Sequence, residues 1–350
     1  MLKKWQFWLG AGISAIFLVI ALRGMHLGDL WQTVITANYF WIIPGVVVYF
    51  LAVWARVWRW HYLLRSIKHI PIKSMWPPVV IGYMGNNVYP FRAGEIIRAY
   101  ILKRKEGVSV SASLATILVE RIFDGLVMLV FVLVSLRTVP NLPTFLKQTV
   151  ILGSAAFLGA LLVLSAWAIL PTRIQAIYRP LIDRFLPEKF RERAKDMADN
   201  FTHGLSSLRN VSDVLMVFVT SFVIWLLETV KYWFVMHAFA FTVSFFTLML
   251  MNGVVNLATT LPSAPGYIGT FDGPGIEVLK IFGVDPAVAA AYTLVLHAAL
   301  WLPITLLGFW YMGKESLSWR EFKQAAEETE PATVSPAPPQ PTPDHIYRES

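Results

Sequence analysis

Residues 82–106 read GYMGNNVYPFRAGEIIRAYILKRKE. The stretch starts apolar, breaks at Asn86, Asn87 and Pro90, and restarts at Gly94-Glu95 as a helix-like run. It ends in the basic cluster Lys103-Arg104-Lys105. Asn, Pro, Arg and Glu are costly in hydrocarbon, where no water satisfies a polar side chain or a broken backbone. Apolar runs nevertheless lie on both sides of the break. A membrane protein tolerates such a break where it packs against protein or lines a water-filled cavity. The stretch therefore reads as a re-entrant hairpin over about residues 76–105, and as half of a functional site.

The rest of the composition agrees with a membrane chain. Of 350 residues, 56% are hydrophobic and 15% charged, with 14 Trp and 23 Phe. An average soluble domain carries about 25% charge. With no cysteine there is no disulfide, thiol chemistry or Cys-based metal site. The formal charge of +8 reads as Lys and Arg at the cytoplasmic ends of spans, facing anionic lipid, rather than as a nucleic-acid surface.

Apolar runs at 5–22, 39–58, 111–136, 149–170, 213–239 and 286–312 read as six full spans, the first of them uncleaved. Residues 27–37 are short and amphipathic, and 172–210 are polar and helix-forming, so both read as interfacial. A basic loop is expected after the second span, holding Arg56, Arg59, Arg65, Lys68 and Lys73, with the hairpin entered through Pro77-Pro78. A second broken stretch, SAPGYIGTFDGPG at 263–275, sits in a hairpin over about 246–282. Residues 329–350 are Pro-rich and expected to be disordered.

Positive residues set the sidedness. The N-terminus, 56–73, 92–105, 171–210 and 313–323 together hold 23 of the 30 Lys and Arg. The opposite loops hold only Arg23, Arg137 and Lys147. Both flanks of the first hairpin are basic, so it enters and leaves on the cytoplasmic side; the second then enters and leaves from outside. The expected fold is an all-α polytopic membrane protein with six full transmembrane helices and two re-entrant helical hairpins in an inverted repeat. Repeat one covers 1–147 and repeat two 148–315, in the cell membrane, with both termini cytoplasmic. Pro90-x-x-x-Gly94 and Pro262-x-x-x-Gly266 each follow an Asn, a short internal match between the halves.

Ionisable residues inside spans are functional candidates, since each costs about 2.5–3.5 kcal/mol to insert. Glu120 and Asp124 share a helical face, and Glu95 and Arg98 lie one turn apart on the returning arm. Arg92, Glu95, Arg98, Glu120, Arg121 and Asp124 are expected to form one polar cluster, in which a guanidinium fork suits a lipid phosphate. The competing reading is a set of ion pairs stapling hairpin to span. Asp272, among glycines that let backbone approach a ligand, is the candidate from the outer hairpin. Glu228 and Lys231 read as a mutual pair, Glu277 and Lys280 as a helix pair, and His237 and His297 as core histidines. No phosphate loop, H-E-x-x-H or G-x-S-x-G occurs. No enzyme, catalytic residue, metal site or cofactor is expected.

Two stretches resemble the signatures of a known family: NNVYPFRAGEIIRAYILKRKEGVSVSASLATILVERIFDG at 86–125 and LPSAPGYIGTFDG at 261–273. They resemble the lysylphosphatidylglycerol synthase transmembrane-region, or flippase-like, family over about residues 5–315. The resemblance points to Asn86, Asn87, Pro90, Arg92, Gly94, Glu95, Arg98, Glu120, Arg121 and Asp124. From the second signature it adds Pro262, Pro265, Gly266, Gly269 and Asp272, where the family often has Glu at the last position. It implies movement or handling of lipid, here without the soluble aminoacyl-transfer domain, so lysyl transfer is not expected. The implied function is translocation of a polar or anionic lipid between leaflets. The alternatives are an ion-coupled carrier of a small soluble substrate and a non-transporting membrane subunit of a lipid-synthesis complex. The implied partners are membrane lipids and a separate lipid-modifying enzyme, with no nucleic acid.

Overall fold

The computed structural model describes residues 5–23, 26–89, 92–135, 144–261 and 263–315. Pro90, Pro262 and the tail at 329–350 lie outside the described residues. Among the described residues every regular element is helical. The helices are α1 (Trp5–Leu22), α2 (Leu27–Ile35), α3 (Ile42–Leu64), α4 (Ile72–Val88), α5 (Gly94–Glu106), α6 (Val110–Ser135) and α7 (Thr144–Ile169). They continue with α8 (Pro171–Phe185), α9 (Glu188–Gly204), α10 (Val211–Met236), α11 (Phe245–Ala258), α12 (Asp272–Ile281) and α13 (Pro286–Lys314).

Helices occupy all six positions where spans are expected, but among the described residues three are long and apolar enough to cross a bilayer alone. These are Tyr39–Leu64, Val211–Met236 and Pro286–Lys314. The bent pair Ala155–Ile169 and Pro171–Phe185 makes a fourth if counted as one span. Helix α6 has the length, but Glu120, Arg121 and Asp124 interrupt its apolarity. Large apolar side chains on α1, α3, α10 and α13 face outward, among them Ile16, Leu51, Trp54, Val219 and Leu306. A soluble chain rarely leaves so much apolar surface uncovered.

The axis of the molecule is an antiparallel pair, α3 and α10. Asn38 N–H donates to the Ala238 carbonyl at 2.8 Å at one end, and Arg65 pairs with Asp213 at the other. Near the Asn38–Ala238 end, Gly45 lets the two helices close up, since a Cβ there would meet Val235 at 3.1 Å and the Lys231 carbonyl at 3.6 Å. The expected second span ends at Trp58, followed by a basic loop. In the structure α3 continues to Leu64, so Arg56 and Arg59 are buried helix residues rather than loop residues. The charges are accommodated because α10 and α6 present carboxylates to them.

Helices α4 and α5 fold back on each other, with Gly85 of α4 packed against Gly94 of α5. A Cβ on Gly85 would lie 2.8 Å from Gly94 Cα, so this approach requires glycine. Pro77 and Pro78 lie inside α4 instead of opening it, because the helix starts at Ile72. The base of this hairpin is closed by Lys68, whose Nζ lies 3.0 Å from Glu106 Oε2. Nearby, Lys105 reaches Glu315 at 2.7 Å, so the hairpin base and the end of α13 share the Arg65–Asp213 end of the bundle.

Helices α11 and α12 form a second fold-back, with their base beside the opposite end of α10. Ser244 caps α11 by accepting from Thr247 N–H at 3.1 Å. Tyr292 near the start of α13 donates to the Tyr232 carbonyl at 3.0 Å. The two hairpins therefore insert from opposite ends of the bundle. The helix pairing repeats between halves: α4 packs on α13 as α11 packs on α6, and α2 on α13 as α9 on α6.

Candidate functional site

The two hairpin tips meet in the middle of the molecule. Arg92, at the first tip, donates to the Thr259 carbonyl of the second at 3.2 Å. Its guanidinium sits 5.8 Å from the Tyr267 ring centre. Arg92 and Tyr267 both hold left-handed backbone, with φ of 53° and 61°. They are the only non-glycine residues with positive φ among the described residues. Such conformations cost about 1–3 kcal/mol each and persist where the surroundings impose them. Nearby, Gly266 has no side chain to clash with Trp301 Nε1, which would lie 2.7 Å from a Cβ there.

Between the tips lies a cavity of about 150 Å³. Its polar lining includes Arg56, Arg92, Arg121, Lys231, Glu228 and the Asn86, Asn87 and Asn256 amides. Aromatic walls come from Tyr83, Trp225, Tyr267 and Trp301. A smaller cavity of about 30 Å³ adjoins it, bordered by Glu95, Arg98 and Asn86, with room for a water or two.

Behind the lining runs a continuous charge network. Arg59 is fully buried and bidentate on Asp124, at 2.6 and 3.2 Å, and also donates to Ser221 Oγ at 2.6 Å. Trp225 Nε1 completes the Asp124 shell at 2.9 Å. Arg98 donates to Glu120 at 2.6 Å and stacks 4.2 Å above the Trp60 ring. Arg121 Nη2 lies 3.3 Å from Asp124, and its Nε lies 3.5 Å from Glu95. Glu95 in turn faces Arg92 at 3.7 Å. On α10, Glu228 is shared by Arg56, at 2.7 Å, and Lys231. Asp124 thus gives its oxygens to Arg59, Arg121 and Trp225, while Glu120 gives Oε2 to Arg98 and leaves Oε1 3.7 Å from Arg59 Nε.

The structure brings Arg92, Glu95, Arg98, Glu120, Arg121 and Asp124 together. Asn87 donates to Thr305 Oγ1 at 2.7 Å, while the Asn86 Oδ1 is buried without a partner. Asp272 does not point into the cavity. It accepts from Gly269 N–H at 2.8 Å and pairs with His297 Nδ1 at 2.8 Å. His297 Nε2 lies 2.7 Å from the Gly266 carbonyl, so the pair braces the second tip. Pro265 opens the short turn at that tip, with Gly266 and Gly269 in left-handed backbone at φ 71° and 83°. Glu228 and Lys231 are paired, but with Arg56 as a third member that the sequence reading assigns to a loop. Arg56 and Arg59 are the site residues that reading misses. The apolar and aromatic residues that continue to Leu64 allow a longer helix, but the sequence alone does not separate core from loop for these two arginines.

A membrane bundle with two opposed hairpins and a cationic cavity between their tips is the class this geometry defines. The chain belongs to the family described as lysylphosphatidylglycerol synthase TM region, which matches residues 7–308. It is 24% identical to a UPF0104 membrane protein of Methanothermobacter thermautotrophicus over 311 residues, 83% of this chain and 91% of that one. A UPF0104 membrane protein of Methanocaldococcus jannaschii is 22% identical, over 85% of this chain and 91% of its own. Glycosyltransferase AglD of Haloferax volcanii is 25% identical over 82% of this chain, a match that spans 51% of AglD. No solved structure matches.

The AglD match corrects one expectation. The sequence reading excludes an enzyme, yet a relative is named a glycosyltransferase, so proteins related to this one can be enzymes. The motifs whose absence motivated the exclusion serve nucleotide phosphates, zinc proteolysis and acyl transfer. None is required for glycosyl transfer.

Proposed function

We propose that this chain translocates a polar or anionic lipid between the leaflets of the cell membrane. In this reading α1, α3, α6, α7, α10 and α13 are the six spans. The fold-backs α4–α5 and α11–α12 are re-entrant hairpins, one from each side, and residues 1–147 and 148–315 form an inverted repeat. Both termini are cytoplasmic, since the hairpin base at Lys68 and Glu106 lies at the basic end of the bundle. The repeated helix pairing supports the two-fold relation between halves.

The observation that carries the reading is the contact of Arg92 with Thr259 and Tyr267. Two strained tips from opposite ends close on one cationic, aromatic-walled cavity. A head group held there would lie beside Arg92, Arg121 and Asn86, with its chains left in lipid. Separation of one hairpin tip from the other would open the cavity to one side at a time.

The test is reconstitution into vesicles with fluorescent lipids of several head groups. Leaflet exchange above that of empty vesicles supports translocation; exchange equal to it for every head group rejects it. A second reading, a membrane partner for a lipid-modifying enzyme, draws on the AglD match. It uses the α8–α9 surface as the docking face and gains support if exchange is absent.

A further inference from the structure

We infer that the group bound between the hairpin tips is a phosphate carrying two negative charges, a monoester or a diphosphate, rather than a singly charged phosphodiester or a cationic aminoacylated head group. The inference rests on the translocator reading for the source of that phosphate, a lipid, and on the cavity itself for its charge.

The argument is charge balance in a place where imbalance is costly. The network contains six cations, Arg56, Arg59, Arg92, Arg98, Arg121 and Lys231. Against them stand four carboxylates, Glu95, Glu120, Asp124 and Glu228. With every group charged, two positive charges are left over. Asp272, beside the second tip, does not offset them: its oxygens face Gly269 N–H and His297 Nδ1, and it does not line the cavity. Uncompensated charge away from water is costly and demands a counter-charge.

The imbalance also has a direction. Of the charged groups lining the main cavity, four are cations and only Glu228 is a carboxylate. Asp124 and Glu120 stand behind this wall, holding the guanidinium groups from the protein side. Hydrogen-bonding capacity is left over on this wall, as it is behind it, where Arg59 Nε, Arg98 Nε and Glu120 Oε1 are also unpartnered. Arg92 Nε and Arg121 Nε are buried with no hydrogen-bond partner, and both residues line the cavity. Arg121 holds its carboxylates only at 3.3 Å and beyond, longer than a well-made charge-assisted hydrogen bond. Asn86 Oδ1, also unpartnered, suits a hydroxyl donor next to the phosphate. Guanidinium groups match the oxygen spacing of a terminal phosphate, and two of them match its two charges. A lysyl head group would add positive charge to a wall that already has too much.

The experiment compares phosphatidic acid with phosphatidylglycerol, with the same acyl chains, as ligands of the full-length protein in nanodiscs at pH 8. At that pH the monoester has its second charge. Free pyrophosphate is the soluble arm. Phosphatidic acid is expected to bind at least about tenfold more tightly than phosphatidylglycerol, with pyrophosphate competing more weakly than the lipid. Arg92→Gly and Arg121→Gln should each erase the preference. Arg92→Gly also relaxes the left-handed backbone at the tip, so it tests the charge even if the Arg121 variant does not fold. Equal affinity for the two lipids, or a preference untouched by Arg92→Gly, overturns the inference. Pyrophosphate binding as tightly as phosphatidic acid overturns the lipid source. Leaflet exchange separates this claim from translocation itself. Equal exchange of both lipids leaves the translocator and sinks the charge assignment. A binding preference without exchange does the reverse.

Discussion

Arg92 is the residue on which the cavity depends, and its backbone explains why. A bulky residue at φ 53° gives up about 1–3 kcal/mol, so its side chain must be held by something specific. The Thr259 carbonyl, the Tyr267 ring and Glu95 supply the hold. Arg92→Ala and Glu95→Gln are expected to abolish leaflet exchange while expression and thermal stability stay near those of the parent protein; normal exchange in both would leave the pair purely structural. Two glycines separate packing from conformation. A methyl at Gly94 would collide with the Gly82 carbonyl, so Gly94→Ala should destabilise the protein by about 3 kcal/mol or more. Gly107 ends α5 at φ 73° with open space around it. Gly107→Ala should cost only about 1 kcal/mol, and thermal unfolding in detergent reads both. The tip residues were legible in the sequence because Asn, Arg and Glu in an apolar setting demand explanation. Arg56 and Arg59 were not, since a basic cluster at the end of a span fits a cytoplasmic loop equally well. Only the partners on α6 and α10, distant in sequence, decide between loop and core.

Within the elements, α3 and α10 are joined by a buried triad rather than a simple pair. Glu228 is the one carboxylate serving both Arg56 and Lys231. Glu228→Gln would strand two buried cations, and a loss of about 3–5 kcal/mol is expected. Replacing all three by Met should restore most of that stability, since well-packed apolar groups often substitute for buried ion pairs. It should not restore exchange, because Arg56 and Lys231 line the cavity. Recovery of exchange in the triple variant would show that these charges only hold helices together. In the proposed arrangement α8 and α9 lie outside the spans, and they are tied through Asp199. The Tyr178 hydroxyl, and then Arg179, hold its carboxyl below the ordinary carboxylate range, against the opposing effect of partial burial. A depressed folded value means the undocked state binds more protons, so the tie is present above the ordinary carboxylate range and lost as pH falls through it. Amide-exchange protection of α8–α9, taken relative to the intrinsic rate at each pH, should therefore fall between about pH 4 and pH 3, where an unperturbed carboxylate takes up its proton. Asp199→Asn should remove that dependence. Both hairpins were legible as elements, because Pro, Gly and Asn interrupt apolar runs that would otherwise be spans. The start of α4 was not: Pro77 and Pro78 signal a helix start, yet one more turn forms before them.

At the scale of the whole molecule, the claim to test is that the hairpins enter from opposite faces. The charge asymmetry is what suggests it, because basic flanks on both sides of 76–105 disfavour a full crossing. The three-dimensional ties agree with it independently. Lys68 before α4 meets Glu106 after α5, whereas the flanks of α11 and α12 lie beside Ala238 and Tyr292 at the other end of α3 and α10. The chain has no cysteine, so single cysteines can be introduced without background. Lys68→Cys and Lys105→Cys should both react with an impermeant maleimide only from the cytoplasmic side of sealed vesicles. Phe241→Cys and Gly283→Cys should both react only from the outside. A chain in which α4 and α5 together crossed the membrane would place Lys68 and Lys105 on opposite sides, and their labelling would split. A chain without inversion would put all four cysteines on one side. The remaining pattern, two and two, requires the two hairpins to be inserted from opposite leaflets, and only that arrangement lets Arg92 and Tyr267 meet between them.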